Sequence, residues 1–202
     1  MSEARARAGE RGGRRRRDPE ATYAALVDAL LELVAESGRE PSGKAIAERA
    51  GVSERTVFVH FADREALYVA AAVRQAQRWQ GLAEPVPADW PTERRVAALL
   101  AQRERMYAVM TPIRVIGLGL ESQSPGLRTV MREGDAWLRA DVARVLAPEL
   151  DRTADADAPG GLLDALDAAV SWAAWNHLTE RRGLSPAHAR TALGRMLSAL
   201  LA

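Results

Sequence analysis

The chain has no cysteine among its 202 residues, so it offers neither a disulfide nor a thiolate for metal binding or catalysis. Aromatic residues make up only 5%, and no segment alternates apolar and polar residues over the length of a strand. No run approaches the roughly 18 apolar residues of a membrane span, and no apolar segment follows the first arginines. We therefore expect a cytoplasmic, all-α protein without a signal peptide or a transmembrane helix.

Residues for catalysis are also scarce. The chain contains three histidines, His60, His177 and His188. His177 and Glu180 form an i, i+3 pair, but a helical site for two metal ions needs a second such motif. No glycine-rich phosphate loop follows a strand, and no set of nucleophile, base and orienting group can be assembled. We expect no enzymatic activity, no metal and no cofactor.

The stretch of residues 42–61, SGKAIAERAGVSERTVFVHF, predicts two short helices joined by a tight turn. Ser42 is an N-cap residue of the first helix, and Gly51 provides the backbone freedom that a sharp turn needs. Ser53 is the predicted N-cap of the second helix. A short helix with polar N-terminal residues, braced by another helix, is the geometry with which helix-turn-helix proteins enter the major groove. An ordinary helical hairpin is the alternative interpretation.

Three segments of this region, IAERAGVS, TVFVHF and DREAL, have the order and spacing of the TetR-type repressors, and residues 19–79 resemble the DNA-binding domain of that family. The resemblance covers about a third of the chain. It implies a three-helix DNA-binding head followed by a helical body that senses a ligand and forms dimers. The sequence departs from the family pattern at Pro41, Gly43 and Phe58, where Phe58 replaces the usual Tyr. These departures affect individual phosphate contacts and not the expected fold.

The resemblance also implies roles for individual residues in DNA binding. Arg55 and Thr56 would face bases, with Lys44 near the edge of the groove. Phe58 has no hydroxyl group and would offer only an apolar contact, such as one to a thymine methyl group. The phosphate contacts would come from Ser42, Ser53, His60 and Arg64.

Positive charge is concentrated in residues 1–17, which contain seven arginines and two glutamates, whereas the whole chain has a net charge of +1. Three glycines in this segment predict a flexible tail that can follow phosphates or enter a minor groove. We therefore expect residues 1–18 to form an arginine-rich arm that contacts DNA. The arginines assigned to DNA binding are Arg14, Arg15, Arg16 and Arg17. A solubilising tail is the alternative.

The segment of residues 81–91 contains three prolines and a glycine, and it predicts a domain boundary. The DNA-binding domain would then comprise residues 19–79, and a ligand-sensing and dimerisation domain would comprise residues 80–202. Apolar periodicity predicts about nine helices in total.

Two features of the body are predicted from its local pattern. Pro112 is expected to end a helix that begins at Thr92, which leaves residues 112–120, with two glycines, as a weak helix or a mobile connector. Residues 161–182 are expected to form a single helix that is apolar on more than one face.

The last two helices are the predicted dimer interface. Residues 162–201 carry apolar stripes, and two such helices from each subunit would form a four-helix bundle, as the family resemblance implies. Replacement of Leu193 and Leu197 by glutamate is expected to dissociate the dimer into monomers. The expected partners are thus a second copy of the chain and a double-stranded, pseudo-palindromic DNA operator.

The body is also expected to contain a largely apolar cavity for an unknown small-molecule effector. Arg114 and Asn176 are the candidate polar anchors, and the alternative places Arg114 in solvent and Asn176 in the dimer interface. By resemblance, binding there would shift the helix of residues 63–80 and release a repressor from its operator. A ligand-independent architectural DNA-binding dimer is the other interpretation. The candidate wall residues are Met106, Met110, Arg114, Met131, Trp137, Trp172 and Asn176.

Overall fold

The computed structural model describes residues 18–153 and 158–202. These residues form helices and loops only, which confirms the all-α prediction. In this part of the chain no helix is long and apolar enough to cross a membrane. The helices are α1 (Pro19–Ser37), α2 (Gly43–Ala50), α3 (Glu54–His60), α4 (Arg64–Gln80), α5 (Thr92–Leu120), α6 (Pro125–Val145), α7 (Ala147–Leu150), α8 (Leu162–Ala169), α9 (Trp172–Asn176) and α10 (Pro186–Leu200), and a π-helical segment, His177–Arg181, continues α9.

Local capping explains where the first helices begin and end. The Asp18 carboxylate accepts a hydrogen bond from the backbone N–H of Glu20 at 3.1 Å at the start of α1. Gly38 ends that helix in the left-handed conformation, with φ of 63°. The Asp63 carboxylate accepts from the backbone N–H of Ala66 at 2.8 Å at the start of α4. The limits of α1 and α4 therefore follow from residues within a few positions of each end.

Helices α1 to α4 share one apolar core, which we call the head core. It also includes Ile113 and Ile116 from α5 and Leu127 from α6. Helix α4 packs along both α5 and α6, so the same helix contacts the head core and the C-terminal helices. The other buried members of the head core come from α1 to α4 and, in the case of Phe61, from the residue after α3: Leu26, Val27, Ala29, Leu30, Leu31, Val34, Ile46, Ala47, Val57, Phe61, Leu67, Tyr68 and Ala71.

The prediction that Pro112 ends a helix is wrong, because α5 continues from Thr92 to Leu120 through this proline. Proline in a helix interior costs about 3 kcal/mol, since it removes a backbone donor and crowds the preceding turn. The helix buries apolar side chains on both sides of that point, with Met110 before it and Ile113 and Ile116 after it. The burial of a continuous apolar face therefore outweighs the local cost.

The prediction of one helix over residues 161–182 is also wrong. The helix is interrupted between α8 and α9, where the Ser171 hydroxyl accepts from the backbone N–H of Ala174 at 3.2 Å and caps α9. An uninterrupted helix would pair the Val170 carbonyl with the Ala174 N–H. Here that carbonyl accepts instead from the buried Tyr107 hydroxyl at 2.5 Å. A contact from α5 thus stabilises a break that the local sequence does not reveal.

Leu193 and Leu197 are fully buried inside one subunit, so they are core residues and not, as predicted, interface residues. The reason is that α10 packs against α5 and α8 of its own chain. The large apolar side chains that α10 leaves exposed are Met196 and Leu200. Any contact of α10 with a second chain must therefore use side chains that remain exposed, such as these two.

Candidate nucleic-acid interface

The α2–α3 hairpin is held by backbone and side-chain hydrogen bonds. The Ser42 hydroxyl accepts from the backbone N–H of Ala45 at 3.2 Å and caps α2. Gly51 follows α2 in the left-handed conformation, with φ of 65°. Ser53 occupies the N-cap position of α3, but its hydroxyl makes no capping bond and lies 2.8 Å from the Thr56 hydroxyl. The two helices and the turn between them are present as predicted, and Ser53 occupies its predicted N-cap position without a side-chain capping bond.

Helix α3 has one buried and one exposed side. Val57 is buried in the head core, and Phe61 is buried just after the helix. Arg55, Phe58 and Val59 are exposed. Arg55 forms no ion pair with any residue that the structure describes. The helix therefore presents one cation without an ion pair, one carboxylate, that of Glu54, and two apolar side chains to solvent.

An open groove of about 400 Å³ lies between the start of α2, helix α3 and the start of α4. It brings together three predicted DNA-binding residues, Ser42, Phe58 and Arg64. Glu40 and Glu54 also line it, and the sequence analysis did not predict these carboxylates there. Of the eight predicted contact residues that the structure describes, seven lie on α2, α3 or their N-caps, and Arg64 is the first residue of α4.

Two of the predicted phosphate and groove contacts are engaged within the chain. Arg64 pairs with Glu40, and its guanidinium lies 5.4 Å from the centre of the Tyr68 ring. The Lys44 ammonium lies 3.9 Å from the Glu48 carboxylate, with both side chains well exposed. Such exposed pairs are worth little in water, so both cations can exchange a carboxylate for a phosphate.

The described part of the head is acidic overall. Residues 18–79 contain ten aspartates and glutamates against seven lysines and arginines, a net charge of −3. Residues 1–17 carry a net charge of +5. The predicted contacts at Arg14, Arg15, Arg16 and Arg17 lie outside the described residues. In the sequence, the positive charge of residues 1–17 directly precedes α1.

The predicted ligand site is only partly assembled. A cavity of about 40 Å³ lies among α4, α5 and α6, and Met110, Arg114 and Met131 line it. Met106, Trp137, Trp172 and Asn176 do not line it, and neither α8 nor α9 contributes. Helix α4, which the sequence did not predict at this cavity, forms one wall with Gln75 and Trp79.

Arg114 is not available as a free anchor for an anion. Its guanidinium lies 2.8 Å from the Asp135 carboxylate and 5.2 Å from the centre of the Trp172 ring. The Trp172 indole N–H in turn donates to the Thr111 hydroxyl at 2.9 Å. The cavity is therefore largely apolar, and its one arginine is already neutralised.

Comparison with known proteins agrees with this geometry. The family model for bacterial regulatory proteins of the tetR family matches residues 26–71, which run from α1 into α4. The chain carries a TetR-type DNA-binding domain. No match was found among curated proteins.

Solved structures resemble this chain over most of its length. A transcriptional regulator from Rhodococcus sp. Rha1 has 23% identity and a TM-score of 0.69, with 89% of this chain and 95% of that chain covered. A tetR-family regulator from Streptomyces coelicolor has 20% identity and a TM-score of 0.70, with 90% and 80% covered. The multidrug binding protein EbrR, complexed with imidazole, has 19% identity and a TM-score of 0.60, with 86% and 93% covered. These likenesses establish that the C-terminal helices share the fold of such regulators.

Proposed function

We propose that this TetR-type protein is a sequence-specific transcriptional repressor that binds a pseudo-palindromic operator as a homodimer and is released by a small molecule. The observation that carries the proposal is α3, a short helix braced by α2 and α1 with a free arginine in its first turn. The TetR-type family match over the same helices supports it.

The roles proposed for the head are those that the resemblance to TetR-type repressors implies. Their side chains are exposed, except that Thr56 and His60 are half-buried. Arg55 and Thr56 read base edges, and Lys44 lies at the groove edge. The residues proposed for phosphate contacts hold the domain in register on the duplex, whatever the base sequence. They are Ser42, Ser53, His60 and Arg64, together with the arm that contains Arg14, Arg15, Arg16 and Arg17.

Arg55→Ala tests base reading. We expect the binding free energy on the selected operator to weaken by about 1–3 kcal/mol and the preference at one base pair to relax, because a base contact is lost. Arg64→Ala is the comparison, because loss of a phosphate contact weakens operator and random DNA alike. Selection of bound fragments from random DNA, followed by titration of both DNAs, measures the two effects. An equal loss on both DNAs from Arg55→Ala removes this residue from base reading.

We propose that the two reading heads are joined through the exposed face of α10, within residues 162–201. Met196 and Leu200 are one turn apart on that face, with 47% and 38% of their surfaces exposed. Two recognition helices must lie about one helical turn of DNA apart, or a multiple of it, to bind both half-sites. A dimer that joins the bodies can set this distance.

Met196→Glu with Leu200→Glu is expected to weaken the dimer at least about a hundredfold, because four carboxylates would enter an apolar interface. Analytical ultracentrifugation measures the change. The matched control is Val115→Glu with Leu118→Glu on α5, where the exposed fractions are 49% and 45%. Dissociation by the α5 pair instead would place the interface on α5, and a monomeric wild type at micromolar concentration would contradict dimerisation altogether.

The effector is proposed to enter between α4, α5 and α6. The cavity of about 40 Å³ holds only a few water molecules, whereas pockets for small molecules usually measure about 300–1,000 Å³. Binding must therefore separate these helices, and because α4 also packs in the head core, its movement would shift α3. The ligand bound in EbrR supports an effector by analogy.

The small cavity also favours a second candidate, a ligand-independent DNA-binding dimer. Thermal unfolding in the presence of a small-molecule library separates the two. A compound that stabilises the protein and lowers its affinity for operator supports ligand release. Compounds that leave both the unfolding temperature and the DNA affinity unchanged favour the ligand-independent dimer.

A further inference from the structure

Two neighbouring apolar side chains at the exposed side of α3 have no partner in the described chain. Phe58 is 68% exposed and Val59 is 72% exposed, while Val57 beside them is buried in the head core. The exposed pair therefore contributes nothing to the head core. Phe58 lines the groove beside the start of α2, and Val59 does not. Successive helix positions point about 100° apart, so the two side chains meet different parts of any bound surface.

The chemistry of this pair restricts what it can recognise on DNA. Neither side chain donates or accepts a hydrogen bond, so neither binds a phosphate or reads a polar base edge. The only apolar group that a natural base pair presents in the major groove is the C5-methyl group of thymine. Arg55 on the same helix and the arginines of residues 1–17 favour DNA over another apolar protein surface as the partner of this side of α3.

We propose that Phe58 and Val59 read the C5-methyl groups of pyrimidines, so that each half-site of the operator contains two thymines recognised by their methyl groups. The inference rests on the proposed DNA-binding function and specifies what the recognition helix reads. Hydrogen bonds from Arg55 then specify a base pair near this apolar contact. A 5-methylcytosine would satisfy the same apolar contact as thymine, because it carries the same methyl group at the same position.

The test replaces each thymine of the selected operator in turn by deoxyuridine, which lacks only the methyl group. We expect about a fourfold loss of affinity at two positions in each half-site, the transfer free energy of one buried methyl group. Cytosine at such a position should bind weakly, and 5-methylcytosine should bind more tightly than cytosine.

Two variants identify the side chains responsible. Val59→Thr replaces a methyl group by a hydroxyl group at nearly constant shape, and Phe58→Ser removes the ring. Each variant should abolish the difference between thymine and deoxyuridine at one position only and leave it unchanged at the other. Because both side chains are exposed, thermal unfolding should be unchanged, which shows that the fold is intact.

The outcomes separate this inference from the proposed function. If no deoxyuridine substitution changes affinity by more than twofold while the operator is still preferred over random DNA, methyl reading is wrong and DNA binding stands. If the variants keep the full deoxyuridine effect, the methyl groups act through DNA shape, and the inference is also wrong. If no sequence is enriched from random DNA, the proposed function itself fails.

Discussion

Deletion of residues 1–17 is expected to lower the affinity for DNA about a thousandfold at 0.15 M salt, on operator and random DNA alike. The remaining head carries a net charge of −3, and its Lys44 and Arg64 already have carboxylate partners. Each phosphate contact contributes about 0.9 to the slope of log affinity against log salt. Four contacts from the adjacent arginines correspond to a slope of about 3.6, which amounts to a contribution of about a thousandfold to the affinity for DNA at 0.15 M salt.

Titrations at three salt concentrations measure this effect as a change in slope. Replacement of the four arginines Arg14, Arg15, Arg16 and Arg17 by lysine should preserve most of the slope, and replacement by glutamine should reproduce the deletion. The glutamine variant keeps the chain length, so it separates charge from steric effects. A deletion that binds DNA within threefold of the intact protein would mean that the arm is a solubilising tail.

The DNA-binding helices could be predicted from the sequence because their limits depend on neighbouring residues. Ser42 and Asp63 cap helices through bonds that span three positions, and Gly51 ends α2 by its own conformation. Ser53 is also the N-cap residue that the sequence predicts, although its hydroxyl lies beside that of Thr56 and makes no capping bond.

The C-terminal helices were less predictable because distant contacts decide them. Pro112 remains inside α5 owing to burial along the whole helix, and the break at Val170 depends on Tyr107, which lies 63 positions away. Apolar periodicity identifies Leu193 and Leu197 as buried, but it does not distinguish burial within a subunit from burial between subunits. Helix packing also decides which residues line the cavity, and for that reason the sequence did not predict the contribution of α4.

Arg95→Met is expected to destabilise the protein by about 3–5 kcal/mol, because it leaves a buried carboxylate with only the exposed Arg152, at 3.8 Å, as a cation nearby. Arg95 and Glu149 are both almost fully buried. One Arg95 nitrogen donates to the Glu149 carboxylate at 2.8 Å and to the Val145 carbonyl at 2.7 Å, and Thr92 donates to the same carboxylate at 2.6 Å. The pair joins the start of α5 to α7. We expect Arg95→Met to lower the midpoint temperature of thermal unfolding by about 10 °C.

The dependence of this loss on pH follows from the pKa of Glu149. Burial by itself would raise that pKa, but the hydrogen bonds from Arg95 and Thr92 outweigh it and hold the pKa below its ordinary value. A lowered pKa stabilises the folded state above about pH 4.3, the value of an unfolded glutamate, and this stabilisation is lost as pH falls through the folded value. In Arg95→Met burial dominates and raises the pKa, so Glu149 is protonated more readily. The difference in the free energy of unfolding between Arg95→Met and the wild type should therefore become smaller as pH falls from 7 towards 4.

Two further variants determine whether the loss comes from the unpaired charge. Arg95→Met combined with Glu149→Met should recover much of the stability, because an apolar pair of similar volume replaces a buried ion pair at little cost. Arg105→Met is the matched control, since its pair with Glu84 is exposed and should contribute less than about 1 kcal/mol. Urea unfolding of all four proteins at pH 7 and pH 4 gives the required free energies. If Arg95→Met loses no more than Arg105→Met, or if the double variant is no more stable than Arg95→Met alone, the buried pair does not stabilise the junction of α5 and α7 in this way.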